Sequence, residues 1–270
     1  MNTRRLFILF GVAVLAAASC FGQLATPNTT GVRMGHIHLY VGDIAAQQRF
    51  WTTMMGGTAV RNEKLEMIQF PGVFIILRQA EPTGPPEGSI VNHFGLVWKD
   101  LPAAMAKWKA NGLKIDQATN PNQGYVWAPD GIRVEFFGDP ALASPVEMNH
   151  VHLYPVDIPG MQAWYAKVFG GVAGKRARVS TPGWIDCVDV PGVNLSMSLG
   201  ETKLAPTAGR SLDHIGFEVR NLPEFLKRLE AQGIKPDEAL RPSQNSSKLR
   251  VAFISDPWGT KIELTEGLAP

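Results

Sequence analysis

The chain switches between two hydrophobic periods four times over. A run of alternating apolar and polar residues ends at Asp43, Asp100, Asp157 or Asn221, and a helical pattern follows. Asp and Asn suit that junction because a short side-chain oxygen can accept from the unpaired N–H groups of a first helical turn. Pro102, Pro159 and Pro223 fall just inside three of the predicted helices, where a missing N–H costs nothing. The helices are expected to end at Gly56, Gly112, Gly170 and Gly233. Trp51, Trp108, Trp164 and Phe225 lie along them as core residues. Short β-rich runs with turn signals come next, such as Glu66–Phe70 then Val73–Arg78, and Gly124–Trp127 then Ile132–Phe137. Each unit reads β-α-β-β-β, and there are four.

These units form a duplication. Gly35-His36-Ile37-His38-Leu39-Tyr40-Val41-Gly42-Asp43 reappears, 114 residues on, as Asn149-His150-Val151-His152-Leu153-Tyr154-Pro155-Val156-Asp157. Asn92-His93-Phe94-Gly95 matches Asp213-His214-Ile215-Gly216, and Pro129-Asp130-Gly131 through Glu135 matches Pro257-Trp258-Gly259 through Glu263. The offset drifts to 128, as loop insertions would cause. The halves are residues 33–138 and 147–266, joined by a linker over Gly138–Val146 that is rich in Pro, Ala and Ser. The simplest expectation is that the two units of each half pair into one curved sheet.

Composition narrows the class. The chain has 270 residues, 45% hydrophobic and 19% charged, with a net charge of +2, an ordinary globular profile. Beyond the N-terminus no Lys/Arg cluster stands out, so nucleic acid is not an expected partner. At the N-terminus, Arg4 and Arg5 precede an apolar run from Leu6 to Ala18 and then small residues. That is the order of a secretory signal, here residues 1–22 with cleavage after Gly22, which makes the protein periplasmic or extracellular. The run is shorter than the roughly 20 residues a membrane-spanning helix needs, so the mature chain is expected to carry no span. Cys20, after Ala18-Ser19, is an alternative lipoprotein acceptor. The only other cysteine is Cys187, so once the signal leaves, no internal disulfide can form.

All six histidines (36, 38, 93, 150, 152 and 214) sit at repeat-matched positions. Residues two apart in a strand share a face, so His36 and His38 point the same way. With paired units in each half, His36, His93 and Glu135 would converge on one concavity, and His150, His214 and Glu263 on the other. Two imidazoles and one carboxylate, with positions left open opposite them, suit iron(II), and the same set can hold zinc or manganese. A single histidine on an apolar strand is more often a hydrogen-bonded core residue. A matched His, His and Glu set occurring twice favours a divalent metal. His38 and His152 are second ligands, pocket acid–bases or buried hydrogen bonders, and cup lining beside the substrate is the favoured reading. Tyr125 lies ten residues before Glu135, where the second half has Phe253; it is either a core aromatic or a further catalytic candidate.

At these residues the chain resembles the vicinal-oxygen-chelate superfamily of glyoxalases, extradiol ring-cleaving dioxygenases, and bleomycin and fosfomycin resistance proteins. The likeness is carried by His36 to Asp43, His93 to Asp100, the Pro-Asp-Gly turn before Glu135, and their counterparts through Asp256-Pro-Trp-Gly259 to Glu263, over about residues 33–266. It implies an α+β fold of four βαβββ units paired into two glyoxalase/extradiol-dioxygenase-like domains. It also implies a divalent metal, and a first ligand seven residues before the capping Asp, which selects His36 and His150 over His38 and His152. Glyoxalase I takes a further glutamate from the last strand of the first unit, and the aligned positions here are Ile76 and Ser196. Four units in one chain, with His150 and His214 64 residues apart and Glu263 a further 49 on, resemble extradiol dioxygenases. Those enzymes carry another histidine shortly before the second ligand. None lies between 38 and 93 or between 152 and 214, which argues against ring cleavage by their usual acid–base route. The resemblance implies a metal-dependent enzyme, dioxygenase-like, acting on a small oxygen-bearing substrate. The alternative is a protein that sequesters a small molecule without turnover. The sequence leaves the oligomeric state open.

Overall fold

The computed structural model describes residues 24–179 and 181–270, so the expected signal segment and Cys20 lie outside the described residues. Four units follow one another. The first is β1 (Val32–Val41), α1 (Ile44–Arg49, continued by a π-helical turn over Phe50–Met54), β2 (Thr58–Asn62), β3 (Leu65–Phe70) and β4 (Val73–Gln79). The second is β5 (Val91–Trp98), α2 (Leu101–Ala110), β6 (Ile115–Gln117), β7 (Gln123–Trp127) and β8 (Arg133–Gly138). The third is β9 (Val146–Leu153), α3 (Ile158–Phe169), β10 (Val172–Ala177), β11 (Trp184–Val190) and β12 (Val193–Met197). The fourth is β13 (Leu212–Val219), α4 (Leu222–Ala231), β14 (Glu238–Pro242), β15 (Arg250–Ser255) and β16 (Lys261–Glu266).

The punctuation works as the sequence implies. Asp43, Asp100, Asp157 and Asn221 each cap a helix, accepting from the backbone N–H three residues on. Gly170 ends α3 in the left-handed conformation, φ 66°, which a side chain would strain.

The units pair differently from the expectation. One eight-stranded sheet runs β14-β15-β16-β13-β1-β4-β3-β2 and the other β10-β11-β12-β9-β5-β8-β7-β6. The first unit thus shares a sheet with the fourth, and the second with the third. Every unit offers the same antiparallel edge on its first strand, so alternation alone cannot choose among partners. The connections choose. Beside β5 lies β8, and the Gly138–Val146 linker carries the chain round to the other edge of β5, where β9 pairs antiparallel. The connections 80–90 and 198–211 instead leave their sheets and bond to each other, Ile90 N–H to Ala205 O and Ser211 N–H to Gly84 O.

Units of one half still associate, through the core. Trp51 of the first unit stacks on Phe94 of β5 with ring centroids 5.6 Å apart, and Phe169 of α3 stacks on Phe217 of β13 at 4.4 Å. The turns before Glu135 and Glu263 add polar anchors: Gln47 Nε2 donates to Asp130 at 2.9 Å, and the Tyr165 hydroxyl to buried Asp256 at 2.9 Å. One continuous apolar core therefore joins both sheets and all four helices. A second cluster, including Met67, Phe74, Ile76, Val251 and Phe253, occupies the opposite, concave face of the first sheet. Among the described residues no helix is long and apolar enough to cross a membrane.

Candidate metal centres

Each sheet gathers four metal-ligating side chains on its concave face. The ligand-type atoms of His36, His38, His214 and Glu263 lie within 4.8 Å of one another, and so do those of His93, Glu135, His150 and His152. The trios expected within each half, His36 with His93 and Glu135, and His150 with His214 and Glu263, do not form. Each first-strand histidine instead meets the second histidine and glutamate of the other half, because β1 pairs with β13 and β9 with β5. His36 and His38, two apart, do share the cup, as do His150 and His152.

The strand pairing explains how the rings converge. His36 stands opposite Gly216, and His38 opposite His214; His150 stands opposite Gly95, and His152 opposite His93. A Cβ on Gly216 or Gly95 would collide with the His36 or His150 ring. The glycine two residues after His93 or His214 is therefore the space in which the partner ring lies.

Four β-bulges complete the arrangement. The register slips one residue at Gly35, Asn92, Asn149 and Asp213, each directly before a histidine of the cups. A bulge re-aims side chains, and at Asn92, Asn149 and Asp213 it turns the bulged residue towards the ring that follows. Asn92 Oδ1 lies 2.8 Å from His93 Nδ1, Asn149 Oδ1 3.0 Å from His150 Nδ1, and Asp213 Oδ2 2.5 Å from His214 Nδ1. Arg133 donates to Asn92 Oδ1 and Arg176 to Asn149 Oδ1, while Lys261 bonds Asp213 at 3.2 Å. With Nδ1 tied back, Nε2 of each ring faces inward, as in histidines that bind metal.

The inward atoms meet at one oxygen in each cup. Oε2 of Glu263 lies 2.9 Å from both His36 Nε2 and His214 Nε2. Oε2 of Glu135 lies 3.0 Å from His93 Nε2 and 3.0 Å from His150 Nε2, the latter out of line for a hydrogen bond. Burial outweighs the Glu135 contact and pushes His93 down to about 4, so its ring is neutral near pH 7 and has one N–H. Two acceptors, Asn92 and Glu135, compete for that hydrogen. A cation between Nε2 and the carboxylate resolves the shortage, so the residues present fit a divalent metal.

Glu135 and Glu263 are held low in pKa. Burial opposes their charge, but His150 and His93 beside Glu135, and His214 and His36 beside Glu263, overcome it. Gln123 also donates to the second oxygen of Glu135. Against burial, the bonds to Asp213 and Glu263 raise His214.

The remaining sequence candidates fall on the same faces. His152 Nε2 is 2.9 Å from the Ser198 hydroxyl, and burial lowers its pKa to about 2. Both ring nitrogens of His38 are shut off from solvent and lack partners. Tyr125 faces the Glu135 cup, its ring 5.3 Å from that of His93 and 4.4 Å under the Arg133 guanidinium. Burial, then the charge of Glu135, raises its hydroxyl pKa. Sequence reading passed over the supporting residues Asn92, Asn149, Asp213 and Arg176. A signal existed: three of the six histidines directly follow Asn or Asp.

The profile of the glyoxalase/bleomycin resistance protein/dioxygenase superfamily matches residues 33–136 and 147–264. The chain belongs to this superfamily. Solved structures agree in fold. Glyoxalase I from Zea mays superposes with a TM-score of 0.68 at 18% identity, covering 87% of this chain and 92% of the maize chain. A "putative dioxygenase" from Bacillus subtilis subsp. subtilis str. 168 gives 0.63 at 11% identity, covering 91% and 86%. No curated protein sequence matches. The superfamily member described here has Ile76 and Ser196 beside His38 and His152 in the parallel ladders, so neither position supplies a carboxylate.

Proposed function

We propose that the chain is an exported, metal-dependent enzyme that acts on a small oxygen-bearing organic substrate chelated to a divalent metal, in dioxygenase-like fashion. The single observation that carries this reading is the aim of two histidine Nε2 atoms at one carboxylate oxygen in each cup. Three such groups are costly to bury together unless something pairs them, and a divalent cation pairs all three. Iron(II) is the first choice, with zinc and manganese suited to the same donors. When bound, the metal supplies a Lewis acid for two neighbouring substrate oxygens.

The chain's own groups hold the arrangement. Glu135 stays anionic against its two histidines, and Gln123 fixes its outer oxygen. The protonated Tyr125 hydroxyl is a hydrogen-bond donor on the cup wall. With its depressed pKa, His152 supports orientation of substrate by hydrogen bonding rather than proton storage.

Elemental analysis of protein purified without added metal tests the reading, together with turnover of catechol and dicarbonyl compounds. Up to two equivalents of metal and a chemical change in one compound class are expected. A metal-free protein that binds such compounds unchanged would replace this reading with small-molecule sequestration. Export rests on Arg4, Arg5 and the Leu6–Ala18 run. Full-length protein retained in the cytosolic fraction would remove that part.

A further inference from the structure

The two cups carry matching ligands but differ in what surrounds them. Phe74, Ile76, Val251 and Phe253 line the Glu263 cup and join one apolar cluster. Strand pairing places Asn194, Ser196, Gln123 and Tyr125 at the corresponding positions of the Glu135 cup. Leu24 and Leu268, from the two ends of the described chain, extend the apolar cluster of the Glu263 cup, and both are buried. Among the described residues, the Glu135 cup has no such filling from either end. It has the guanidiniums of Arg133 and Arg176 behind its histidines.

The extra histidines differ in the same sense. His152 Nε2 is engaged by Ser198, so its hydrogen-bonding capacity has a partner away from the ligands. The residue corresponding to Ser198 is Arg78, which donates to the Tyr40 hydroxyl and leaves His38 alone. His38 has two buried, unpartnered nitrogens, within 4.8 Å reach of the other three ligand groups. A polar side chain in an apolar wall with neither nitrogen satisfied is costly, unless a cation takes one lone pair. A closed set of four protein ligands is the mark of a structural metal site, whereas a catalytic site keeps one position for water or substrate.

We propose that the cups have divided roles: the Glu263 cup is a closed four-ligand centre completed by His38, and the Glu135 cup, with three protein ligands, keeps two or more positions open for an anionic, oxygen-chelating substrate. This rests on the metal reading above and assigns each half of it a task. Carboxylate or enolate oxygens suit the open cup, since two guanidiniums lie behind its histidines and the Tyr125 hydroxyl stands on its wall, whereas the other cup has one cation, Lys261, behind His214 and an apolar wall.

Cobalt(II) reports coordination number in its visible spectrum, independently of turnover. The full chain, stripped with chelator and reloaded, should bind two cobalt ions. One should absorb strongly, as four-coordinate cobalt does, and remain unmoved by acetohydroxamate, an anionic chelator that binds through two oxygens. The other should absorb weakly and shift when acetohydroxamate is added. His38→Gln should abolish the strong band and weaken cobalt binding at that site at least about tenfold, whereas His152→Gln should retain two cobalt ions. Should His38→Gln fail to fold, the acetohydroxamate titration of the unaltered chain still decides. A response from both ions, or from neither, overturns the proposal, as does a His38→Gln spectrum equal to that of the unaltered chain. Absence of cobalt from both cups would remove the metal reading itself, a result distinct from two equivalent sites.

Discussion

His36 on β1 lies directly across from Gly216 on β13, and its ring fills the space that a side chain at 216 would need. His150 and Gly95 repeat the relationship in the other sheet. Gly216→Ala should therefore displace His36, and Gly95→Ala should displace His150. Each is expected to lower metal content by about one equivalent per chain while the far cup keeps its own. Plasma emission spectrometry on the two variants checks this. Unchanged metal in both would mean that these rings are not ligands.

Pairing across the halves can be tested by additivity. His93→Gln and His150→Gln strike the same cup, so the double variant should lose no more metal than either single one. His36→Gln combined with His93→Gln strikes both cups and should lose about two equivalents. Sites built within each half would reverse the pattern, because His36 and His93 would then share a metal.

Asp213 accepts from His214 and from the backbone of Gly209 and is bonded by Lys261, so it locks the His214 tautomer with Nε2 facing inward. Asp213→Asn should weaken metal binding at the Glu263 cup by about 10–100-fold. The Glu135 cup should hold its metal as before. Competition against a coloured chelator would read the two affinities separately, and equal loss at both cups would count against the assignment.

Acid should destabilise the metal-stripped protein. Burial keeps His36, His38, His93, His150 and His152 uncharged below the usual imidazole range, His93 down to about 4. The unfolded chain takes up those protons near pH 6.5, so their contribution is present above that value and is lost as pH falls towards 4. Glu135 and Glu263, held low by their histidines, add a loss of the same sign below about pH 4.5. His214 is raised and acts oppositely: its contribution is complete below about 6.5 and is lost as pH rises through its folded pKa. Five imidazoles and two carboxylates outweigh His214 and the two carboxylates that burial raises, Glu218 and Asp256, so the melting temperature should fall between pH 7 and 4.5. A flat or rising profile would contradict these environments.

Much of this was legible in advance. The caps Asp43, Asp100, Asp157 and Asn221 announced the helices because an N-cap bond is local, reaching only three residues. Repeat matching picked out His36, His93, Glu135, His150, His214 and Glu263, because side chains that serve one centre recur at matched positions in a duplicated chain. The bulges were not legible. Alternation would place Met34 and His36 on one face, whereas the slip at Gly35 sends Met34 into the core and His36 into the cup. Asn92, Asn149 and Asp213 likewise gain their role only when the partner strand makes each the extra residue.

By itself, then, the sequence determined the four βαβββ units, their boundaries, and which imidazoles and carboxylates are available, since each depends on contacts within a unit or on comparison between units. Only the tertiary structure decided which unit completes which cup. Four first strands carry near-identical edges, and a β-ladder reads backbone rather than side chains, so strand chemistry cannot rank the partners. The decision lies with the linker over Gly138–Val146, the two mutually bonded connections, and the packing of Trp51 on Phe94 and Phe169 on Phe217. Those long-range contacts bind the units of each half through the core and leave their strand edges to the other half. For the same reason the contrast between an apolar and a polar cup became visible only with the pairing known: Phe74 and Phe253 are far apart in the chain, and the fold sets them on one wall.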